Sequence, residues 1–312
     1  MIEADRLTKQ YGTLKAVDDI SFTVEKGEIL GFLGPNGAGK STTMKILSCF
    51  IAPTSGTARI CGKDIRSDSL EVRKQIGYLP ESAPSYKDMT VTEFLKFVAE
   101  IRGYRKGEAL SRVDSIIETT FLEPVRYQTI NTLSKGFRQR VGFAQALIHD
   151  PPVLILDEPT DGLDPNQKYE VRTLIRKMSG EKAIILSTHI LEEMEAVCTR
   201  AIIINSGTIV ADGTPHDLLS RSSLYRAVSL KISEKPSQNL LDRLEGLATV
   251  RKVEYRIPSD TSDGHHLCIY PEKEQNPIAD VMHCASENNL SVLEVFSEKG
   301  KMDEVFRNLT IG

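Results

Sequence analysis

The chain has 312 residues, 40% of them hydrophobic and 26% charged, with a formal net charge of -4. That length accommodates one large domain and a smaller one. The faintly acidic balance provides no overall basic field, so nucleic acid is not the expected partner.

The longest apolar runs, Val153 to Leu156 and Ala201 to Ile204, have the length of core strands. A membrane span needs roughly 20 such residues, so no crossing of a bilayer is expected. The acidic start, Met1-Ile2-Glu3-Ala4-Asp5, leads into no apolar stretch, and a secretory leader is not expected either. Five scattered cysteines, odd in number and never spaced C-x-x-C, fit a reducing cytoplasm better than a disulfide framework or a metal site.

In chain order, Ala16 to Val24 alternates with period two and predicts a strand ending at the turn Glu25-Lys26-Gly27-Glu28. Ile29 to Leu33 predicts a short core strand running into a glycine-rich loop. A helix is expected over Thr42 to Phe50, stopped by Pro53, and further strands over Thr57 to Cys61 and Ile76 to Leu79. From about residue 90 to 150 the period becomes helical, over Glu93 to Ile101, Leu110 to Leu122 and Gly136 to His149, which reads as a helical insertion. Strands return at Val153 to Leu156, Ala183 to Leu186 and Ala201 to Ile204, separated by helices Gln167 to Met178 and Leu191 to Cys198. This alternation predicts an α/β fold with a mainly parallel sheet covered on both faces.

After Ser220 the order becomes β-α-β-β-α-β plus a last helix: strands Ala227 to Ile232, Val250 to Ile257, His265 to Tyr270 and Ser291 to Phe296; helices Ser237 to Leu247, Asn276 to Asn288 and Met302 to Leu309. That order suggests a small α+β, ferredoxin-like domain over 221–312, following a first domain over 1–220. Such a domain could sense a ligand or simply pack and support dimerisation, and no site residues stand out in it. His265 and His266 beside Cys268 are adjacent on a strand and face opposite ways, which argues against a shared metal.

The chemistry starts at Gly34-Pro35-Asn36-Gly37-Ala38-Gly39-Lys40-Ser41, followed by Thr42, which fits G-x-x-x-x-G-K-S/T between a predicted strand and helix. Glycines let successive N–H groups turn toward phosphate oxygens, and the following helix presents its positive end to them. Lys40 supplies charge for β- and γ-phosphates and Ser41 a hydroxyl for Mg²⁺. Pro152 to Leu156 is a buried strand that delivers two carboxylates, Asp157 and Glu158. Asp157 is placed to hold Mg²⁺, directly or through water. Glu158 is the candidate to polarise an attacking water as general base. Ser134 and the Gly136 N–H open the helix before this strand and form a second anion-binding terminus.

Three further stretches carry a family resemblance. Leu133-Ser134-Lys135-Gly136-Phe137-Arg138-Gln139-Arg140 resembles the signature motif of ABC ATPases, Asp161-Gly162-Leu163-Asp164 resembles their D-loop, and His189 after Leu186-Ser187-Thr188 resembles their switch histidine. Tyr11-Gly12 is similar to the adenine-stacking position. The resemblance covers roughly residues 1 to 220, with the motifs in family order. It implies a P-loop NTPase cassette with antiparallel N-terminal strands and a helical subdomain, binding ATP and Mg²⁺ and hydrolysing ATP. Two chains would sandwich two nucleotides head-to-tail, with Ser134, Gly136 and Asp164 acting across the interface and His189 sensing the γ-phosphate. The expected assembly is a homodimer or a heterodimer with a similar chain, cytoplasmic and peripheral on the inner face of the plasma membrane. A separate membrane-spanning permease would bind the transported substrate.

Three positions depart from the family pattern: Lys135 replaces glycine, Phe137 replaces glutamine, and Glu81 stands at the Q-loop glutamine. Glu81 can still bind Mg²⁺ but donates no hydrogen bond. Ile29 to Asn36, the Lys-Gly-x-Arg-Gln-Arg signature and the closing Met302-Asp303-Glu304-Val305-Phe306 resemble bacterial exporter ATPases, including drug-efflux, sodium-efflux, copper-linked and gliding-motility types. A non-transport ABC ATPase acting on ribosomes or DNA is the alternative. Those usually carry tandem cassettes or a long coiled-coil insertion, and neither is visible. A binding-only regulator is the third reading, opposed by Glu158 and His189.

Overall fold

The computed structural model describes residues 1–82, 85–256, 264–273 and 275–310. The chain divides into two compact units, Met1–Pro215 and His216–Gly312.

The first unit opens with β1 (Ile2–Tyr11) and β2 (Leu14–Val24), an antiparallel pair, followed by β3 (Ile29–Leu33) and α1 (Lys40–Leu47). Then come β4 (Ser55–Ile60), β5 (Lys63–Asp64), α2 (Ser69–Gln75) and β6 (Ile76–Leu79). The helical block consists of α3 (Val91–Ile101), α4 (Lys106–Thr119) and α5 (Lys135–Leu147). The α/β layer resumes with β7 (Val153–Asp157), α6 (Pro165–Ser179), β8 (Ala183–Thr188), α7 (Leu191–Val197), β9 (Arg200–Asn205) and β10 (Thr208–Gly213); the short α8 (Pro215–Leu219) starts at the unit's last residue and belongs otherwise to the second unit.

Two sheets result. One has the order β2-β1-β4-β5 and is antiparallel. The other has the order β10-β9-β3-β8-β7-β6, parallel except for the β10–β9 pair. In the parallel part β3 and β7 are buried at every position, as a strand covered on both faces should be. The main core cluster joins both sheets, with Ile20 and Phe22 of β2 against Phe32 of β3; the two phenylalanine rings meet edge to face, 5.1 Å between centroids.

The helical block forms where its period predicted. In α3, Val91, Phe94, Leu95, Val98 and Ala99 are buried, an i, i+3, i+4, i+7, i+8 stripe, and Thr90 with Glu93 closes a capping box at its start. The end of α1 differs from the expectation that Pro53 stops it. The helix ends at Leu47, Cys49 takes a left-handed φ of 57°, and its N–H reaches Ile46 O while the Phe50 N–H reaches Lys45 O. That paired closure satisfies the last carbonyls and ends the helix before the proline. The edge strands β5 and β10 and the short helices α2 and α8 lacked a readable period.

The second unit contains β11 (Tyr225–Ile232), α9 (Gln238–Glu245), β12 (Val250–Arg256), β13 (His265–Pro271), α10 (Ile278–Glu287), β14 (Val292–Lys299) and α11 (Met302–Thr310). Its sheet has the order β12-β13-β11-β14, antiparallel throughout, in the expected β-α-β-β-α-β sequence. Alternate residues Val228, Leu230 and Ile232 enter a core with Leu240, Leu244, Leu267, Ile269 and Val281. Ile257, expected to end β12, lies outside the described residues. His265 sits 2.8 Å from the Tyr255 hydroxyl and His266 2.7 Å from that of Ser229, so the two imidazoles serve different neighbours.

Gly77 shows how closely α5 seats on β6. A Cβ there would lie 2.2 Å from the Ala146 carbonyl oxygen, a backbone atom that cannot swing away. Gly77→Ala is therefore expected to cost about 1–3 kcal/mol by overpacking, read as a lower urea midpoint at unchanged slope.

Candidate active site

The buried strand β3 ends at Leu33, and the chain curls through the loop before α1. Gly37 and Gly39 take positive φ values of 80° and 111°, and a Cβ at Gly39 would lie 2.4 Å from the Ala16 carbonyl oxygen. No side chain caps α1, so its first-turn N–H groups face the loop unclaimed by a cap. By contrast α5 and α6 are capped by their own Ser134 and Asp164.

This loop forms one wall of a cavity of about 410 Å³, lined by Asn36, Gly37, Ala38, Gly39, Lys40, Ser41 and Thr42 together with Glu81, Glu158, Asp161 and His189. Most of the predicted site residues are thus brought together. The buried Lys40 side chain donates to the Gly34 and Pro35 carbonyls at 2.7 and 3.1 Å. Burial lowers the pKa of its ammonium, against the opposing pull of the Glu158, Asp157 and Glu81 carboxylates.

The two acids leave β7 in different directions. Asp157 is buried and accepts from the Ser41 hydroxyl at 3.2 Å and from the Ser187 hydroxyl on β8. Glu158 takes a left-handed φ of 51°, uncommon for a residue with a side chain, and the reversal brings its carboxylate into the cavity. Its N–H donates to Ser187 Oγ at 3.1 Å, and its carbonyl accepts from Gln139 Nε2 of α5 at 3.2 Å. Its carboxylate lies 3.0 Å from His189 Nδ1. Burial pushes the Glu158 carboxyl above its usual range; the His189 hydrogen bond and charge and the Lys40 charge hold it down, while Asp157 adds to the rise.

Hard oxygen donors suit Mg²⁺, and the Ser41 hydroxyl and Asp157 carboxylate already adjoin, with Glu81 on the same cavity wall. The donor set therefore fits a divalent cation beside a phosphate loop.

Seven predicted residues are not in that cavity lining: Gly34, Pro35 and Asp157, placed above through Lys40 and Ser41, and Ser134, Gly136, Asp164 and Tyr11. Ser134 Oγ accepts from the Phe137 N–H at 3.3 Å as the cap of α5, and Asp164 accepts from the Gln167 N–H at 2.9 Å as the cap of α6. Gly136 packs where a Cβ would come within 2.4 Å of Gln167 Oε1, so the starts of α5 and α6 abut. Tyr11 is half exposed at the β1–β2 turn, with Lys9 Nζ 5.2 Å from its ring centroid. Sequence reasoning assigned no role to Asp161, which lines the cavity and accepts from Lys135 Nζ at 2.6 Å. That contact, led by its hydrogen bond, holds the Asp161 carboxyl below its usual range.

A family profile described as "ABC transporter" matches residues 17–161. The linearmycin resistance ATP-binding protein LnrL of Bacillus subtilis (strain 168) is 31% identical over 99% of this chain and 98% of its own. The chain belongs to the ABC transporter ATP-binding proteins. The Nod factor export ATP-binding protein I of Ralstonia nicotianae (strain ATCC BAA-1114 / GMI1000) is 31% identical over 99% of this chain and 94% of its own. A solved dimeric, post-hydrolysis state of the ATP-binding cassette MJ0796, bound to ADP and Pi, matches with a TM-score of 0.65 and 25% identity, over 69% of this chain and 99% of that one. This ABC protein is an ATPase, the ATP-binding subunit of a transporter. Among the described residues no helix is long and apolar enough to cross a membrane.

The position of the Glu158 carboxyl yields a direct test for this ATPase. By ¹³C NMR it is expected to titrate above an ordinary glutamate. Since His189 pulls the value down, His189→Ala should move it further up; a downward move would contradict the assigned contact.

Proposed function

We propose that two copies of this ABC ATPase close around two MgATP, hydrolyse them, and drive a separate membrane-spanning permease that works as an exporter. One observation carries this reading. The phosphate loop, Glu158 and His189 share one cavity and Asp157 accepts from Ser41 of that loop, whereas Ser134, Gly136 and Asp164 stand outside its lining at two other helix starts. A second anion-binding helix terminus that does not serve the chain's own cavity is suited to a nucleotide held by another copy. The dimeric state of MJ0796 supports the same arrangement.

In this mechanism the α1 N–H groups and Lys40 hold the β- and γ-phosphates and stabilise charge as it shifts during transfer. Ser41 and Asp157, with Glu81 nearby, would hold Mg²⁺, which supplies Lewis-acid neutralisation of phosphate charge. Glu158 takes the proton of the attacking water, and His189 orients the Glu158 carboxylate while facing the γ-phosphate. Tyr11 stacks on adenine at the open end of the β1–β2 turn.

The permease has a suitable surface. A groove of about 890 Å³ is lined by Phe50, Leu70, Tyr86, Phe97 and Ile101, with Arg73 and Arg102 on it. A smaller cavity shares Phe50, Tyr78 and Gln145 with that groove and also touches Ser41, Glu81 and Asp157. Movement near the phosphate loop could thus be felt where a permease segment docks. The protein would work at the cytoplasmic face of the plasma membrane, leaving the cargo to the permease. Linearmycin resistance and Nod factor export, the functions for which two relatives are named, support the outward direction.

Glu158→Gln is the decisive variant. It should cut ATP turnover by about 100-fold or more while leaving ATP binding within about threefold, and with saturating MgATP its solution mass should double. A variant that hydrolyses at the wild-type rate, or stays monomeric at saturating nucleotide, would refute the proposal.

A further inference from the structure

Glu193, on α7, is almost fully buried and has no place in the mechanism above. Its two oxygens have different partners. Oε1 meets Lys168 Nζ at 3.0 Å and Arg172 Nη2 at 3.2 Å, both cations on α6. Oε2 accepts from the Thr160 hydroxyl at 2.5 Å and from the Thr188 hydroxyl at 3.2 Å. Both threonines are buried. Thr160 lies two positions after Glu158, and Thr188 immediately precedes His189. The Thr188 oxygen also accepts from the Ile190 N–H at 3.0 Å, which fixes the backbone on both sides of His189.

We infer that Glu193 is a positioning residue for hydrolysis: a single buried carboxylate oxygen ties the turn that presents Glu158 to the turn that presents His189. The catalytic pair comes from two different strand ends, β7 and β8, and the ladder between those strands has finished by then. Beyond the ladder, the 3.0 Å contact between Glu158 and His189 needs another fastening. The shared acceptor supplies it through Thr160 and Thr188. Lys168 and Arg172 keep the carboxylate ionised at depth, because an unpaired buried charge would be costly. Burial by itself raises the Glu193 carboxyl, yet the hydrogen bonds from Thr160, Lys168 and Arg172 and the Lys168 charge leave it below its usual range, ready to accept at all neutral pH values. A displacement of about 1 Å between reacting groups can cost about 100-fold in rate, so a fastening of this kind acts on turnover rather than on nucleotide binding.

The inference rests on the proposed roles of Glu158 and His189, and the experiment separates the two. Steady-state ATPase kinetics would be measured on the full chain carrying Thr160→Val with Thr188→Val, which keeps shape and removes both hydroxyls. The same kinetics would be measured on Thr160→Ser with Thr188→Ser, which keeps both hydroxyls. Glu158→Gln would be measured alongside. The valine pair is expected to lower kcat by about tenfold or more with KM for ATP within about twofold, and the serine pair to keep kcat within about threefold. Full kcat in the valine pair, or equal losses in both pairs, would overturn the assignment and leave Glu193 as an ion-pair partner only. If the valine pair does not fold, Thr188→Val alone is judged by the same criteria. Wild-type turnover in Glu158→Gln would instead strike at the catalytic pair itself.

Discussion

A buried ammonium facing three carboxylates is the constraint on which the rest of this cassette depends. Lys40 is taken out of water at the start of α1, which lowers its proton affinity, and the charges of Glu158, Asp157 and Glu81 oppose that loss. Those acids can gather about the phosphate loop only because the cation and the positive end of a helix stand among them. Much of the first unit follows from holding this arrangement still. The parallel strands β3, β7 and β8 place the loop, the two acids and His189 at the same edge of one sheet, where parallel α/β folds build their sites.

The signature departures acquire a physical meaning against that arrangement. Lys135, where the family has glycine, runs its side chain across Gly162: a Cβ on that glycine would lie 2.4 Å from Lys135 Cδ. Its ammonium then pairs with Asp161, on the cavity wall. As an exposed pair it adds little stability, about 1 kcal/mol or less. Its geometry matters more, because it connects the start of α5 to the turn that follows Glu158. Gln139 reaching the Glu158 carbonyl is a parallel link between the same two regions, and Arg140 pairing with Glu170 at 2.6 Å ties α5 to α6. Glu81, the third departure, faces the cavity as a carboxylate beside Ser41.

What was legible in the sequence was what is local. The phosphate loop needs glycines and a lysine at fixed spacing, so Gly34 to Ser41 could be read directly, and β7 with its two terminal acids announced itself by a clean change from apolar to charged. The period-two and period-3.6 stretches, from β2 to α3 and α5, formed where they were expected. The closure of α1 at Cys49 was hidden because it uses a left-handed residue other than glycine. Partnerships across the fold carried no sequence signal at all: Ser187 with Asp157, Lys135 with Asp161, and Glu193 with Thr160 and Thr188 are 26 to 33 positions apart or meet only after a turn. Ser134 was visible as the opening of a helix, whereas Asp164 was read only through the resemblance to the D-loop; the use proposed for both depends on a neighbour that no single chain contains.

A structure of the Glu158→Gln protein loaded with MgATP tests the shared-nucleotide arrangement most directly. The account requires Ser134 Oγ and the Gly136 N–H of one copy to lie about 3 Å from γ-phosphate oxygens bound by the Lys40 loop of the other. Nucleotide seated in that loop with Ser134 remote from every γ-phosphate, in its own subunit and in the neighbouring one, would contradict it.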